Sequence, residues 1–203
     1  MKSLTDQQKG SLLAFVAVMF ITPDSLFIRL SNLDTWGLGF YRGIIPFFTV
    51  FFGMLLIYKL NFFKILFNSG FHGIIYIATF SITNITFVVS IQNTNVANTL
   101  VMIATAPMLS AILSAIFLKE PPDRKTFISI IITFISIVYI FFDSIKIGNF
   151  YGDILGFVTA LGLAVGAITI RSAKTKNLVP AAVIGKLFVA YFALFFIESF
   201  TLI

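Results

Sequence analysis

Seven apolar stretches, each about 20 residues long, limit what this chain can fold into. They cover residues 10–31, 37–58, 70–92, 96–118, 126–142, 151–171 and 179–203. An α-helix needs about 20 apolar residues to cross the hydrocarbon core of a bilayer, so each stretch is a candidate transmembrane helix. Most connections are turn-sized, for example Asn93-Thr94-Asn95 and Lys119-Glu120-Pro121-Pro122. The pattern predicts an all-α, polytopic membrane helix bundle in which consecutive helices run antiparallel.

The composition excludes several classes of protein. Apolar residues make up 59% of the chain and charged residues 11%, with a mean hydropathy of +1.03, far from the balance of a soluble domain. The net charge of +6 is divided among the connections between apolar stretches, so we expect no nucleic acid partner. There is no cysteine and only one histidine, which argues against a metal site or another cofactor. The expected partner of such an apolar chain is the lipid bilayer.

The cations fix the predicted orientation, because Lys and Arg near span ends resist translocation. Ten of the fourteen fall in alternate connections on one side: Lys2, Lys9, Lys59, Lys64, Lys119, Arg124, Lys125, Arg171, Lys174 and Lys176. Lys146 and Arg29 fall on the other side. We predict a multi-pass protein of the plasma (bacterial inner) membrane with a cytoplasmic N-terminus. A cleaved signal peptide is disfavoured, since the first apolar run has no small-x-small cleavage site.

The chain contains an internal repeat. Shifting it by 142 residues aligns residues 10–32 with residues 152–174, and six of the 23 pairs are identical. The identical pairs include a glycine at the start of both spans and an arginine at the end of both spans. A unit of five spans places its second copy upside down in the membrane, and such inverted repeats are common in secondary transporters.

The repeat predicts two domains. Residues 1–148 form the first five-helix repeat, and residues 149–203 hold two helices of an incomplete second one. The complete fold would have ten helices in a 5+5 arrangement, with the substrate site near the membrane midplane between the repeats. We therefore expect that the chain is truncated at its C-terminus.

Short motifs along nearly the whole chain resemble the EamA type of the drug/metabolite transporter (DMT) superfamily. They are Gly10-Ser-Leu-Leu-Ala, Phe40-Tyr41-Arg42-Gly43, Ala104-Thr-Ala-Pro107, Phe117-Leu118-Lys119-Glu120 and Gly152-Asp-Ile-Leu-Gly156. The resemblance implies a permease that moves a small metabolite or a drug-like solute without ATP hydrolysis, and not an enzyme. A small-molecule substrate is the expected partner, and a homodimer stays open.

Several ionisable residues lie inside predicted spans, where charge is costly and often functional. Asp24 follows Pro23, whose ring is expected to kink the first span and to serve as a hinge. Its carboxylate could carry a proton or hold a cationic substrate, or it could pair with Arg42 or Lys186 and only fix packing. Arg42 lies about 9 Å inside the second span at 1.5 Å per residue. We weigh a role in substrate binding against anchoring at the membrane surface. Lys186 is interpreted as snorkelling toward the inner surface.

The third span carries a stripe of hydroxyl side chains on one face. Thr79, Thr83, Thr86 and Ser90 recur at helical spacing, and Asn84 lies beside them. We expect this face to line the substrate pathway, although Ser and Thr also join membrane helices by packing. In the fourth span Asn98 is expected to continue the pathway, whereas Asn95 is interpreted as a helix cap.

The fourth span also contains candidate moving parts. Pro107 opens the backbone near mid-membrane and is predicted as a hinge, with a static kink as the alternative. Glu120 resembles a gate position of the family, and its alternative is an ion pair with Arg124 or Lys125. Small residues four apart, such as Gly152/Gly156 and Gly162/Gly166, are interpreted as packing contacts.

Other functions fit the sequence less well. A truncated, non-transporting membrane fragment of such a permease is the chief alternative. A seven-helix receptor or retinal protein would have its N-terminus outside, against the cation count. An intramembrane enzyme would need paired acidic residues, or Ser with His, at membrane depth.

Overall fold

The computed structural model describes residues 5–21, 23–31, 33–59, 61–147 and 150–197. This described part is α-helical, without β-strands, and forms nine α-helices. They are α1 (Asp6–Ile21), α2 (Asp24–Leu30), α3 (Thr35–Tyr58), α4 (Asn61–Asn93), α5 (Val96–Ile103), α6 (Ala106–Leu113), α7 (Arg124–Ile147), α8 (Phe150–Ser172) and α9 (Val179–Leu194). One π-helical turn, Ser114–Leu118, continues α6. The predicted all-α helix bundle is confirmed.

A helix lies at the position of every predicted span. Within the described residues, five helical stretches are long and apolar enough to cross a bilayer: Gln8–Ile28, Thr35–Tyr58, Asn61–Asn93, Val96–Leu118 and Phe150–Ser172. The predicted fifth and seventh spans form α7 and the shorter apolar α9, and their crossing stays a prediction. The predicted repeat boundary at residues 148–149, the predicted span end at 198–203 and Lys2 lie outside the described residues. The chain is a multi-pass membrane protein.

Residues 1–32 form one compact unit and residues 33–203 a second, and each is described by itself. In the first unit α1 ends at Ile21 and α2 begins at Asp24, with Pro23 between them at φ −76° and ψ −4°. The predicted interruption of the first span at Pro23 is confirmed. It follows from the missing amide hydrogen and the steric demand of the proline ring.

In the second unit α4 lies against α8 and α9, α3 packs on α9, and α5 and α6 pack on α8. Glycines allow these close approaches, as predicted for Gly152/Gly156 and for Gly162. Gly43 of α3 faces the backbone of α9 at Ala190, and Gly162 of α8 faces Thr83 of α4. Gly152 faces Asn93 at the end of α4. At these glycines the neighbouring helices of this unit are therefore closely packed.

Side chains cap several helices of the second unit. Asp34 accepts hydrogen bonds from two amides at the start of α3, and Asn95 accepts one from Ala97 at the start of α5. The predicted capping role of Asn95 is confirmed. Before α7, hydrogen bonds from the hydroxyl and the amide of Thr126 hold the pKa of the exposed Asp123 below its ordinary value. This cap is present at neutral pH and weakens as the pH falls through that pKa.

The close contact between α3 and α9 predicts an asymmetric response to two matched substitutions. A Cβ at Gly43 would lie 2.6 Å from the Ala190 nitrogen and 2.8 Å from the Lys186 carbonyl oxygen. These are backbone atoms, so Gly43→Ala must push α9 away, at about 1–3 kcal/mol. A Cβ at Gly53, also on α3, would meet no atom within 4 Å.

We expect Gly43→Ala to lower the midpoint of thermal unfolding in detergent by several degrees. Gly53→Ala should leave the midpoint unchanged or raise it slightly, because alanine favours helix over glycine. Equal midpoints for the two variants would contradict the packing of α3 on α9.

Candidate functional site

The middle of the second unit holds a charged hydrogen bond. Lys186 of α9 donates from Nζ to Asn84 Oδ1 of α4 at 2.6 Å, and its ammonium lies 5.4 Å from the centre of the Phe80 ring. The Asn84 amide in turn donates to the Phe80 carbonyl at 2.7 Å. Asn84 lies about 13 Å along the helix from the end of α4 at Asn93. The interpretation of Lys186 as snorkelling was wrong, because α4 offers an amide oxygen and a phenyl ring within its reach.

Arg42 faces the same side of α4. Its guanidinium lies 5.7 Å from the centre of the Phe87 ring, and the side chain is partly buried. Phe80, Asn84 and Phe87 recur at offsets of four and three, which places them on one helical face. This face, which we call the α4 polar face (Phe80, Asn84 and Phe87), therefore meets two cations, each over an aromatic ring.

The hydroxyl stripe of the third span lies at helix contacts. Thr79 and Thr83 donate to backbone carbonyls one turn earlier on α4, and Thr83 is buried against Gly162 of α8. Thr86 shares a hydrogen bond of 2.8 Å with Thr159 of α8. This geometry fits the packing alternative, and a role of these hydroxyls in the pathway stays a prediction. Ser81, beside the stripe, donates at 3.0 Å to the Gly185 carbonyl of α9.

A buried carboxylate joins the start of α8 to α4 and α5. Asp153 is fully buried, and it accepts a 2.6 Å hydrogen bond from the Thr94 hydroxyl and one of 3.4 Å from the Asn98 amide. Beside it, Ser90 donates to the Gly152 carbonyl at 2.7 Å. Asn98, predicted to line the pathway, thus lies beside a carboxylate that sequence reasoning had not singled out.

The opposite end of α8 carries an ion pair. Arg171 Nη2 lies 2.6 Å from Glu120 Oε2, and both side chains are about half exposed. Ser114 lies between them, donating to Glu120 at 3.2 Å and accepting from Arg171 at 3.5 Å. The alternative interpretation of Glu120, an ion pair with Arg124 or Lys125, was wrong about the partner, and a gate role of Glu120 stays a prediction. The left-handed backbone of Lys119 at φ 58° ends the π-helical turn and brings the following Glu120 toward α8.

A cavity of about 460 Å³ opens at this end of the bundle. Pro107, Ser110, Ser114, Glu120, Thr126 and Arg171 are among its lining residues. The structure thus brings the predicted hinge Pro107 and the predicted gate Glu120 to one cavity. The helix of the fourth span is interrupted just before Pro107, as expected from the missing proline amide, and a hinge role of Pro107 stays a prediction. Pro107 lies in the first turn of α6, after a turn at Ala104 and Thr105 that separates α5 from α6.

Two of the predicted site residues belong to the first unit. Pro23 precedes α2, and Asp24 begins it with a partly buried side chain. The predicted roles of Asp24 in proton or substrate binding stay predictions. Among the residues that the structure describes, no group of three or more His, Asp or Glu side chains is arranged to hold a metal ion.

The model of the EamA-like transporter family matches residues 8–142, well over half of the 203 residues. Searches against curated proteins and against solved structures each returned no match. The matched region contains the α4 polar face, Arg42, Asn98, Pro107 and Glu120, and it ends before α8. The chain belongs to the EamA-like transporter family, whose members are membrane permeases.

Proposed function

We propose that this protein is a secondary transporter that moves a small metabolite or a drug-like solute by alternating access, without ATP hydrolysis. The family match supports membrane transport in general. The solute, the direction and the coupling ion go beyond that match. We place the protein in the plasma (bacterial inner) membrane with a cytoplasmic N-terminus, because the cations concentrate in alternate connections.

The hydrogen bond between Lys186 and Asn84 is the observation that carries the proposal. It joins α4 of the predicted first repeat to α9 of the predicted second repeat, near the middle of α9 and about 13 Å from the end of α4. A charged side chain at this depth costs about 2.5–3.5 kcal/mol on the insertion scale, so a bundle rarely retains one without a use. Inverted-repeat transporters bind their substrates at this kind of location.

The chemistry of the α4 polar face indicates the kind of solute. Lys186 and Arg42 bring two positive charges to it, with an amide and two phenyl rings between them. Phenyl rings bind apolar or aromatic portions of a solute. A small solute with an apolar or aromatic portion would complement this face.

Alternating access needs a closure at each end of the pathway, and α8 takes part in two such contacts. Near its start, Asp153 is hydrogen-bonded to Thr94 and Asn98. Near its end, Arg171 pairs with Glu120 beside the cavity that contains Pro107. We propose that these two contacts open in turn as the solute passes.

The first test asks whether the α4 polar face meets water. The chain has no cysteine, so Asn84→Cys introduces the only thiol. We expect this thiol to react with a membrane-impermeant methanethiosulfonate reagent in sealed vesicles. Ile82→Cys is the matched control on the same helix, because Ile82 is 50% exposed on the surface of the bundle and points away from Asn84.

A thiol facing lipid ionises poorly, because burial in an apolar medium disfavours the thiolate. We therefore expect Ile82→Cys to react at least about tenfold more slowly than Asn84→Cys. Labelling of Asn84→Cys at the same low rate as Ile82→Cys would contradict a solute pathway along this face.

The second test concerns the two contacts of α8. In the Asn84→Cys background, Glu120→Gln should raise the labelling rate from the membrane side at the end of α8. The increase should be at most about fivefold, because exposed ion pairs contribute little free energy. Asp153→Asn should raise labelling from the opposite side by about tenfold or more, because the hydrogen bonds that it disturbs are fully buried.

Asp123→Asn removes a carboxylate that only caps α7, and it is expected to change neither rate. Inside-out and right-side-out vesicles give the two sides separately. Equal effects of Glu120→Gln and Asp153→Asn from both sides would contradict the assignment of one closure to each end.

A further inference from the structure

A short segment separates α3 from the membrane-crossing part of α4. Lys59 ends α3 with φ 50° and ψ −137°, and Gly70 interrupts α4 with φ 55° and ψ −137°. Residues 61–69, which we call the interfacial segment, form a helix between these two breaks. At 1.5 Å per residue the segment is about 13 Å long, so it cannot span a bilayer.

The interfacial segment has three distinct faces. The first packs on the bundle and consists of Phe62, Ile65, Leu66 and Ser69, with Phe62 fully buried near Met54 and Val183. The second carries Phe63 and Phe67, which are 45% and 79% exposed. The third is polar and carries Asn61, Lys64 and Asn68, all exposed. At 100° per residue these sets occupy separate sectors of the helix, as expected for a helix lying between bilayer, water and protein.

Basic side chains line the interfacial segment from end to end. Lys59 precedes it and Lys64 lies within it, and both are exposed. Lys176, from the connection between α8 and α9, is exposed and places its ammonium about 4.0 Å from where a Cβ of Gly70 would lie. The sequence has no Asp or Glu from residue 35 to 119 or from 154 to 197, so α3, α4 and the α8–α9 connection supply no carboxylate to neutralise these lysines.

We propose that the interfacial segment is a binding site for anionic phospholipids in the leaflet on the predicted cytoplasmic side. Phe63 and Phe67 insert at the boundary of the acyl chains, and Lys59, Lys64 and Lys176 bind the phosphodiester headgroups. The charge selects the occupant, because a zwitterionic headgroup carries its own cation and gains less from the lysines. The site is separate from the solute pathway.

The test uses the whole chain in detergent, titrated with phosphatidylglycerol or with phosphatidylcholine, and counts bound lipids by native mass spectrometry. We expect phosphatidylglycerol to bind at least about fivefold more tightly than phosphatidylcholine. Lys64→Gln should weaken the binding of phosphatidylglycerol about fivefold, the usual effect of one lysine near an anionic membrane surface. Lys125→Gln is the matched control, since Lys125 is exposed on the same predicted side at the start of α7. This control should change the affinity less than twofold.

Three results would overturn the proposal. The first is equal affinity for the two lipids. The second is an equal loss of affinity for phosphatidylglycerol in Lys64→Gln and Lys125→Gln, which would mean that the lysines only set the orientation of the protein in the membrane. The third is complete displacement of phosphatidylglycerol by millimolar inorganic phosphate, which would indicate a site for a soluble anion. Phe67→Ser should weaken both lipids while leaving the preference for phosphatidylglycerol, which separates the role of the acyl boundary from that of charge.

Discussion

No water reaches the hydrocarbon core of a bilayer, and polar side chains there must find their partners within the protein. Helix α4 satisfies this requirement with hydrogen bonds to its own carbonyls and to the helices around it. Thr86 reaches Thr159 on α8, and Ser81 reaches the Gly185 carbonyl on α9. Glycines on both neighbours allow the backbones to approach this closely. The position of α4 between α8 and α9 therefore decides which partners these polar side chains of α4 find.

We assign transport to the polar and charged side chains that do not serve mainly in helix packing. Asn84 and Lys186 join α4 to α9 with a charged hydrogen bond, whereas the hydroxyls beside them lie in helix contacts. Helix α8 carries a carboxylate contact at its start and an ion pair at its end. A rigid α8 that exchanges one contact for the other would couple the two ends of the bundle, which is the mechanical requirement of alternating access.

Local signals were sufficient to predict helices at the positions of the spans, the interruption at Pro23 and the cap at Asn95. Each of these depends on apolar length, on proline or on a side chain bonding its own turn. The direction of Lys186, the partner of Glu120 and the burial of Asp153 depend on which helix lies opposite. Helical periodicity gives the face on which a residue lies, but it does not identify the neighbour of that face. The spacing of Phe80, Asn84 and Phe87 was the available signal for the α4 polar face.

The most direct test of this account is a cross-link between α4 and α8, the helices that the sequence assigns to two different repeats. In the cysteine-free chain, the double variant Thr86→Cys/Thr159→Cys places two thiols where the native hydroxyl oxygens lie 2.8 Å apart. Mild oxidation in native membranes is expected to form an intramolecular disulfide readily, as measured by the shift on a non-reducing gel. Failure to cross-link, with ready cross-linking of Ile82→Cys/Thr159→Cys instead, would contradict the account.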